Sequence, residues 1–439
     1  MPGMPRPTTA SVAPARRCAY TVLRRVFEQG AYADRALTAE AAELEPRDRA
    51  LAMRLAYGAV QRRGTLDHLI EALSERPAAA LDPPLLAALR LGLYELLYTR
   101  GAPDYAVVAD AVELAKAHGR AGHGLVNAVL RRVAREGPDA LLEGLSDDTP
   151  ESAAIKHSHP EWIARLWWEA LGPEQARALM ACDNEPLEVA LRANTLVSDA
   201  AALAGELPVR THLDPAIPEA VVLDEPFDAH SSGAWRRGAF HAQSRAAMRV
   251  AQVLAPGDGE RVLDLCAAPG GKTTHLAALM HDRGEVLAVE RDKRRAGSLV
   301  RTAQRLHASS VRVEVADAEH WTEAARGADA RGFDRVLVDP PCSGLGTLQA
   351  RADLRWRVTP DASAKMAGTQ ARILAAGADA LRPGGVLVYS TCTISPVENE
   401  SLIAAFLDSN ANFALEDVVL TLPHRDHTAG FYIARMRRS

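Results

Sequence analysis

Val262-Leu263-Asp264-Leu265-Cys266-Ala267-Ala268-Pro269-Gly270-Gly271-Lys272-Thr273 joins a short apolar run to a glycine turn and then to a helix-forming segment. A near-continuous apolar run suits a strand buried on both faces. Small residues in the turn let backbone approach a ligand, and the following helix N-terminus favours negative charge. Downstream, VLAVE (286–290), VRVEVAD (311–317), RVLVDPP (335–341) and GVLVYSTC (385–392) repeat the strand texture, with helical segments between them. This alternation predicts an α/β domain with a parallel, doubly wound sheet over 236–439, whose ligands bind at the carboxyl ends of the strands.

Upstream the texture is different. From Ala15 to about Arg135 the periodicity is helical, as in Leu85, Leu86, Leu89, Leu93, Leu96 and Leu97 after the Asp82-Pro83 helix start. An all-α domain is expected over 14–150, with a polar, turn-rich linker at 137–151. Ser158 and Glu161 have capping-box spacing before WIARLWWEAL. The mixed helix and β-like runs that follow predict a linker helix and small α+β domain over 151–235.

Composition narrows the class. Of 439 residues, 48% are hydrophobic and 24% charged, which excludes a disordered tail protein. Lys and Arg total 51 against 56 Asp and Glu, a net charge of -5, so any nucleic-acid surface must be local. Five widely spaced cysteines (Cys18, Cys182, Cys266, Cys342, Cys392) form neither a disulfide framework nor a CxxC metal pattern. His157 and His159 lack companion ligands at metal spacing, so no metal is expected. Apolar runs fall short of a membrane span. The start, MPGMPRPTTASVAPARR, lacks a signal-peptide core. It reads as a disordered leader over 1–13 of a cytoplasmic protein.

Acids close three of the strands. Glu290 stands 19 residues after Gly271, where a carboxylate can bond ribose hydroxyls. Asp317 ends the next strand. Together with the glycine turn they suit a nucleoside-containing cofactor, although a tight turn with solvated acids explains them equally well. Gly271-Lys272-Thr273 has the ending of a phosphate loop, but Cys266 stands where its first glycine is required. Asp339-Pro340-Pro341-Cys342 holds a carboxylate and a thiol at one strand end, and Cys392 ends another. One such cysteine would ordinarily be a small buried hydrophobe. Two at strand ends beside turns favour reactive thiols.

VLDLCAAPGGKTTHLA, VLVDPPCSGLGTL and VLVYSTCTISPVENE resemble the cofactor, substrate and nucleophile motifs of RNA cytosine-5 methyltransferases. LRLGLYELLY and GLVNAVLRRV resemble a NusB-like RNA-binding helical domain. The pairing resembles the Sun/RsmB family of bacterial ribosomal RNA (cytosine-5) methyltransferases. The resemblance implies a multidomain protein: an all-α NusB-like domain, a small α+β linker domain and a Rossmann-like methyltransferase domain. It implies S-adenosylmethionine bound by Cys266, Ala267, Ala268, Pro269, Gly270, Gly271, Lys272, Glu290, Asp317 and Asp339. It makes Cys392 the nucleophile, with Cys342 assisting release and Asp339 at the base. The implied partner is small-subunit ribosomal RNA; no membrane is expected from the apolar runs, and the sequence leaves the oligomeric state open, with a monomer as the working expectation. The rivals are a tRNA or other RNA target, and a non-catalytic RNA-binding assembly factor. Ser244, Gln349, Ala350 and Ala429 depart from the family pattern. RNA contacts are expected from the basic clusters Arg62-Arg63, Arg131-Arg132 with Arg135, Arg236-Arg237, Arg351 with Arg355 and Arg357, and Arg437-Arg438. Trp162, Trp167 and Trp168, at helical spacing, are expected in the core rather than on RNA.

Overall fold

A computed structural model describes residues 12–118, 122–321 and 332–439. Most of the expected leader, residues 1–11, lies outside the described residues. The chain forms two compact units, one of residues 1–185 with 348–357 and one of 186–347 with 358–439. Residues 151–185, grouped with the linker domain on sequence grounds, cluster with the helical unit. So does the ten-residue stretch that follows Thr347.

The helical unit is built around Pro83–Tyr98, which starts with Asp82 as N-cap and Pro83 in its first turn. Leu85 to Leu97 are buried almost without interruption, so this helix is apolar all round and forms the centre of the bundle. Its two buried charges are paired. Arg90 donates to both Asp67 oxygens at 2.7 and 2.8 Å, and Glu95 accepts from Arg16 at 2.8 and 2.6 Å. Unpaired, either charge would be costly at that depth.

The expected Ser158–Glu161 capping box does not form. Ser158 adopts a left-handed conformation at the end of Pro150–His157, and its hydroxyl bridges Gly64 N and Gln61 O at 2.9 and 2.8 Å. Pro160 is the N-cap of Glu161–Leu171 and offers no side-chain acceptor. The capping box is one helix earlier, between Thr149 and Ser152. Of the three tryptophans expected in the core, Trp167 is fully buried, whereas Trp162 and Trp168 are half-buried.

The second unit holds two sheets. The smaller has strands β1 (Val189–Ala193), β2 (Thr211–Asp214), β3 (Ile217–Leu223) and β4 (Phe240–Ala242), antiparallel in the order β2-β3-β1-β4. The larger has β5 (Arg261–Leu265), β6 (Glu285–Val289), β7 (Val311–Glu314), β8 (Phe333–Val338), β9 (Leu381–Thr391), β10 (Phe413–Thr421) and β11 (Phe431–Arg438), in the order β10-β11-β9-β8-β5-β6-β7. Strands β5 to β9 are parallel, whereas β11 pairs antiparallel with both β9 and β10. The sheet is therefore mixed rather than wholly parallel. Strand order reverses beside β5, whose neighbours are β6 and β8, and this places a crevice at the carboxyl ends of those strands.

Candidate functional site

The β5 turn is shaped by its own residues. Gly270 has φ 101°, a left-handed conformation that glycine adopts without strain, and caps the helix Gly271–Leu279. Thr273 Oγ1 donates to Asp264 Oδ2 at 2.6 Å, tying the helix start back to β5. Burial pushes the Asp264 carboxyl up to about 7, against the hydrogen bond from Thr273. Burial also raises the Cys266 thiol to about 12, so this cysteine stays protonated and unreactive.

A cleft of about 390 Å³ opens beside this turn. Cys266, Val289, Glu290, Asp317, Pro341 and Met366 are among its walls. Glu290 is 2% exposed. Its Oε1 accepts from Asp292 N at 2.9 Å, while its buried Oε2 has an ion-pair contact with Arg295 at 3.4 Å and no hydrogen bond. Arg295 also donates to Ala268 O at 2.8 Å, pinning the turn. Asp317 is exposed at the rim and caps Glu319 N at 3.0 Å.

The second group of residues gathers where β8 and β9 end as neighbours. Cys342 Sγ and Cys392 Sγ are 3.3 Å apart, both half-buried. Asp339 Oδ2 accepts from Lys272 Nζ at 2.7 Å and Oδ1 from Ser390 Oγ at 2.9 Å. Burial alone would lower the Lys272 ammonium, but the Asp339 carboxylate more than offsets it and the net shift is upward. The Cys342 thiol is raised well above its ordinary value, first by its hydrogen bond to Cys392 and then by burial. Cys342 therefore keeps its proton.

Of the sequence-predicted residues, Cys266, Glu290 and Asp317 line the cleft, while Lys272, Asp339, Cys342 and Cys392 form the neighbouring cluster. Lys272 was grouped with the cofactor turn, yet its ammonium pairs with Asp339. Sequence reading passed over Ser390, Ser343 and Glu398. Glu398 lies inside the quoted run VLVYSTCTISPVENE, but an acid there reads as a solvated loop residue until its burial is seen.

One arginine of the expected basic clusters is withdrawn from solvent. Arg355 is fully buried and donates to Ser158 O, Asn184 Oδ1 and Asp183 O, each at 3.0 Å, so it cannot contact RNA. Arg357 bonds Asp353 and the Gly30 and Ala31 carbonyls, Arg237 pairs with Glu206, and Arg437 with Glu416. The departures from the family pattern have local roles. Ser244 still caps Arg245–Leu254, Gln349 donates to Cys182 O at 2.8 Å, and Ala429 is buried. Among the described residues, no helix is long and apolar enough to cross a membrane, and no group of three or more His, Cys, Asp or Glu could hold a metal ion.

Comparison with known proteins covers almost the whole chain. Residues 251–437 match the family described as 16S rRNA methyltransferase RsmB/F. Residues 13–135 match the NusB family, and 159–230 the ferredoxin-like domain of RsmF/B-like methyltransferases. The probable ribosomal RNA small subunit methyltransferase B of Synechocystis sp. is 35% identical over 97% of this chain and 99% of that protein. The corresponding Bacillus subtilis protein is 33% identical over 90% and 92%. A crystal structure of a methyltransferase homolog from Pyrococcus horikoshii superposes with a TM-score of 0.59 at 28% identity, covering 66% of this chain and 99% of that one. With a mixed Rossmann-like sheet, a helical NusB unit and full-length likeness to these relatives, the chain belongs to the RsmB/F family of 16S rRNA methyltransferases.

Proposed function

We propose that this protein transfers a methyl group from S-adenosylmethionine to C5 of a cytidine in 16S ribosomal RNA, through a covalent cysteine adduct at C6. One observation carries the reading. Two thiols 3.3 Å apart stand beside a lysine-paired aspartate, next to a cleft that ends in a buried, underbonded glutamate. The cleft suits the cofactor. Glu290 Oε2 has capacity to accept from ribose hydroxyls, Val289 and Met366 offer apolar walls to a purine, and Cys266 brings the start of the turn to the cleft. The cofactor supplies an electrophilic methyl group.

Cytosine C5 is a weak nucleophile. Addition of the Cys392 sulfur to C6 makes C5 enamine-like and able to take the methyl group. Asp339, fixed by Lys272 and Ser390, is placed to accept a hydrogen bond from the base edge, and the paired Lys272 ammonium offsets the negative charge that develops on the ring. Solvent water then takes the C5 proton, the electrons of the C5–H bond restore the C5=C6 double bond, the sulfur–C6 bond breaks, and its electron pair returns to Cys392. Cys342 holds its proton and offers that departing sulfur a hydrogen bond. The base must be single-stranded or flipped out to reach these groups.

The test is labelled methyl transfer to unmodified 16S ribosomal RNA and to tRNA, with both cysteine variants. Methylation of 16S RNA at cytosine C5 is expected. Cys392→Ala should abolish turnover and form no adduct. Cys342→Ala should transfer methyl, release slowly and accumulate an RNA–protein complex that survives denaturing electrophoresis. Transfer to tRNA alone would overturn the substrate, no transfer to any RNA would favour an assembly factor, and an adduct only in Cys392→Ala would reverse the thiol roles.

A further inference from the structure

The turns carrying the two cysteines share one buried carboxylate. Glu398 has no exposed surface. Its Oε2 accepts from Ser343 N and Gln370 Nε2, both at 2.9 Å, and its Oε1 from Ser363 Oγ at 2.6 Å and from Ser343 Oγ. Ser343 directly follows Cys342. Gln370 also donates to Pro341 O at 2.9 Å, on the other side of Cys342. The Glu398 carbonyl accepts from Tyr389 Oη at 2.7 Å, back on β9. Adjacent Asn399 accepts from Thr391 Oγ1 at 2.6 Å and donates to Thr393 O at 2.9 Å, bracketing Cys392. Ser343 Oγ and Thr393 Oγ1, each next to one of the cysteines, are 2.6 Å apart.

A carboxylate at this depth is tolerated because four donors meet its two oxygens. Packed apolar residues in place of a buried charge are often neutral or stabilising, which points to geometry rather than stability as the network's use. A fully satisfied buried network fixes its members in one arrangement. Here those members are the residues on both sides of each thiol.

We infer that Glu398 is a positioning residue, whose carboxylate holds the Cys342 turn against the end of β9 and so sets the distance between the two thiols. The catalytic consequence rests on the two-thiol mechanism above; the geometric claim does not. Cys392 directly follows β9, which is paired with β8 on one side and β11 on the other, whereas Cys342 sits on a turn held through Pro341 and Ser343. Loss of the carboxylate therefore displaces Cys342 first. The charged or titratable groups around Cys342 are Cys392, Glu398, Asp339 and Tyr389, with Lys272 acting through Asp339.

Two variants test this. Glu398→Asp keeps the charge but is one methylene too short to meet all four donors. Ser363→Ala removes one donor and leaves the packing. The first readout needs neither RNA nor cofactor: the rate at which diamide links Cys342 to Cys392, located by peptide mapping. With sulfurs starting 3.3 Å apart, the folded wild type should link readily. Linking should slow about tenfold in Glu398→Asp and about twofold in Ser363→Ala, the scale of losing sub-ångström placement. The second readout is turnover. Glu398→Asp should accumulate the denaturation-resistant RNA adduct, as Cys342→Ala does, with a smaller change in KM for the cofactor than in turnover, because Glu398 itself does not line the cleft, although Pro341 does. A purely structural role would lower all activities together and trap no adduct. Wild-type linking in both variants overturns the inference; should Glu398→Asp fail to fold, wild-type linking in Ser363→Ala overturns it alone. Slowed linking combined with no adduct in Cys342→Ala supports the positioning role and instead refutes the release mechanism.

Discussion

Glu290 and Asp264 illustrate two different uses of a buried acid. Glu290 leaves one oxygen without a hydrogen bond at the head of the cleft, a desolvated acceptor awaiting donors. Glu290→Ala should weaken S-adenosylmethionine binding by about 1–3 kcal/mol in calorimetry. Wild-type affinity would place the ribose elsewhere. Asp264 likewise leaves Oδ1 without a hydrogen bond, but its Oδ2 is tied to Thr273 at the helix start and burial pushes its carboxyl up to about 7. Folding therefore favours its protonated form. Its contribution is most favourable below the unfolded carboxyl range and is lost as pH rises toward 7. Asp264→Asn cannot ionise, so its loss of stability between pH 5 and pH 8 should be smaller than the wild type's by about 1–3 kcal/mol. Urea midpoints at the two pH values, measured without cofactor, check this; parallel pH profiles would show that Asp264 is ionised throughout.

At the scale of elements, turns decide more than helices or strands do. The backbone at Gly346 leaves no room for a side chain, since a Cβ there would lie 2.0 Å from Gly430 O. The same glycine donates to Cys392 O at 3.0 Å and accepts from Gly430 N at 2.7 Å. Gly346→Ala should cost about 1–3 kcal/mol in thermal or urea unfolding, as overpacking does. It should also slow turnover, because the loop it distorts adjoins Cys392. Unchanged stability would mean that β11 shifts to accommodate the methyl. Strand identities β5 to β9 were legible because each is a short apolar run between turn residues. Strand β10 was not, since FALEDVVLT is mostly exposed along its length and carries little burial pattern; β11 was passed over as well, although FYIARM is mostly buried. The Ser158–Glu161 spacing misled because capping depends on the backbone at Pro160, which spacing alone does not report.

For the whole molecule, the main unexpected feature is the stretch 348–357, which belongs to the helical unit although its flanks belong to the other. Trp356 Nε1 donates to Val60 O at 2.7 Å, and Arg357 reaches the Gly30 and Ala31 carbonyls. Removing residues 1–150 strips Trp356 and Arg357 of these partners while Arg355 keeps Ser158 and Asp183. The truncated protein should still bind cofactor, yet lose RNA affinity and target choice. It should also become sensitive to trypsin after Arg351 and Arg357, read by mass spectrometry of early fragments. Resistance equal to the full chain would show that this stretch has a conformation of its own. Binding of the full chain to RNA should weaken as salt rises, with a slope set by the number of phosphate contacts. Arg355 adds nothing to that slope, because its guanidinium is buried.

Residue order alone determined the three-part division by texture, the parallel core of the large sheet and the acids and thiols at its strand ends. These follow from local periodicity and turn chemistry, which act over a few residues. Tertiary structure decided what required residues far apart in sequence. It paired Lys272 with Asp339, spent Arg355 inside the helical unit and set the 3.3 Å separation of the thiols. It also buried Glu398 beneath both thiol turns, where four donors from three residues, Ser343, Ser363 and Gln370, satisfy it. Whether a charged side chain faces solvent, a ligand or another charge depends on which strands become neighbours, and pattern along one segment carries no record of that.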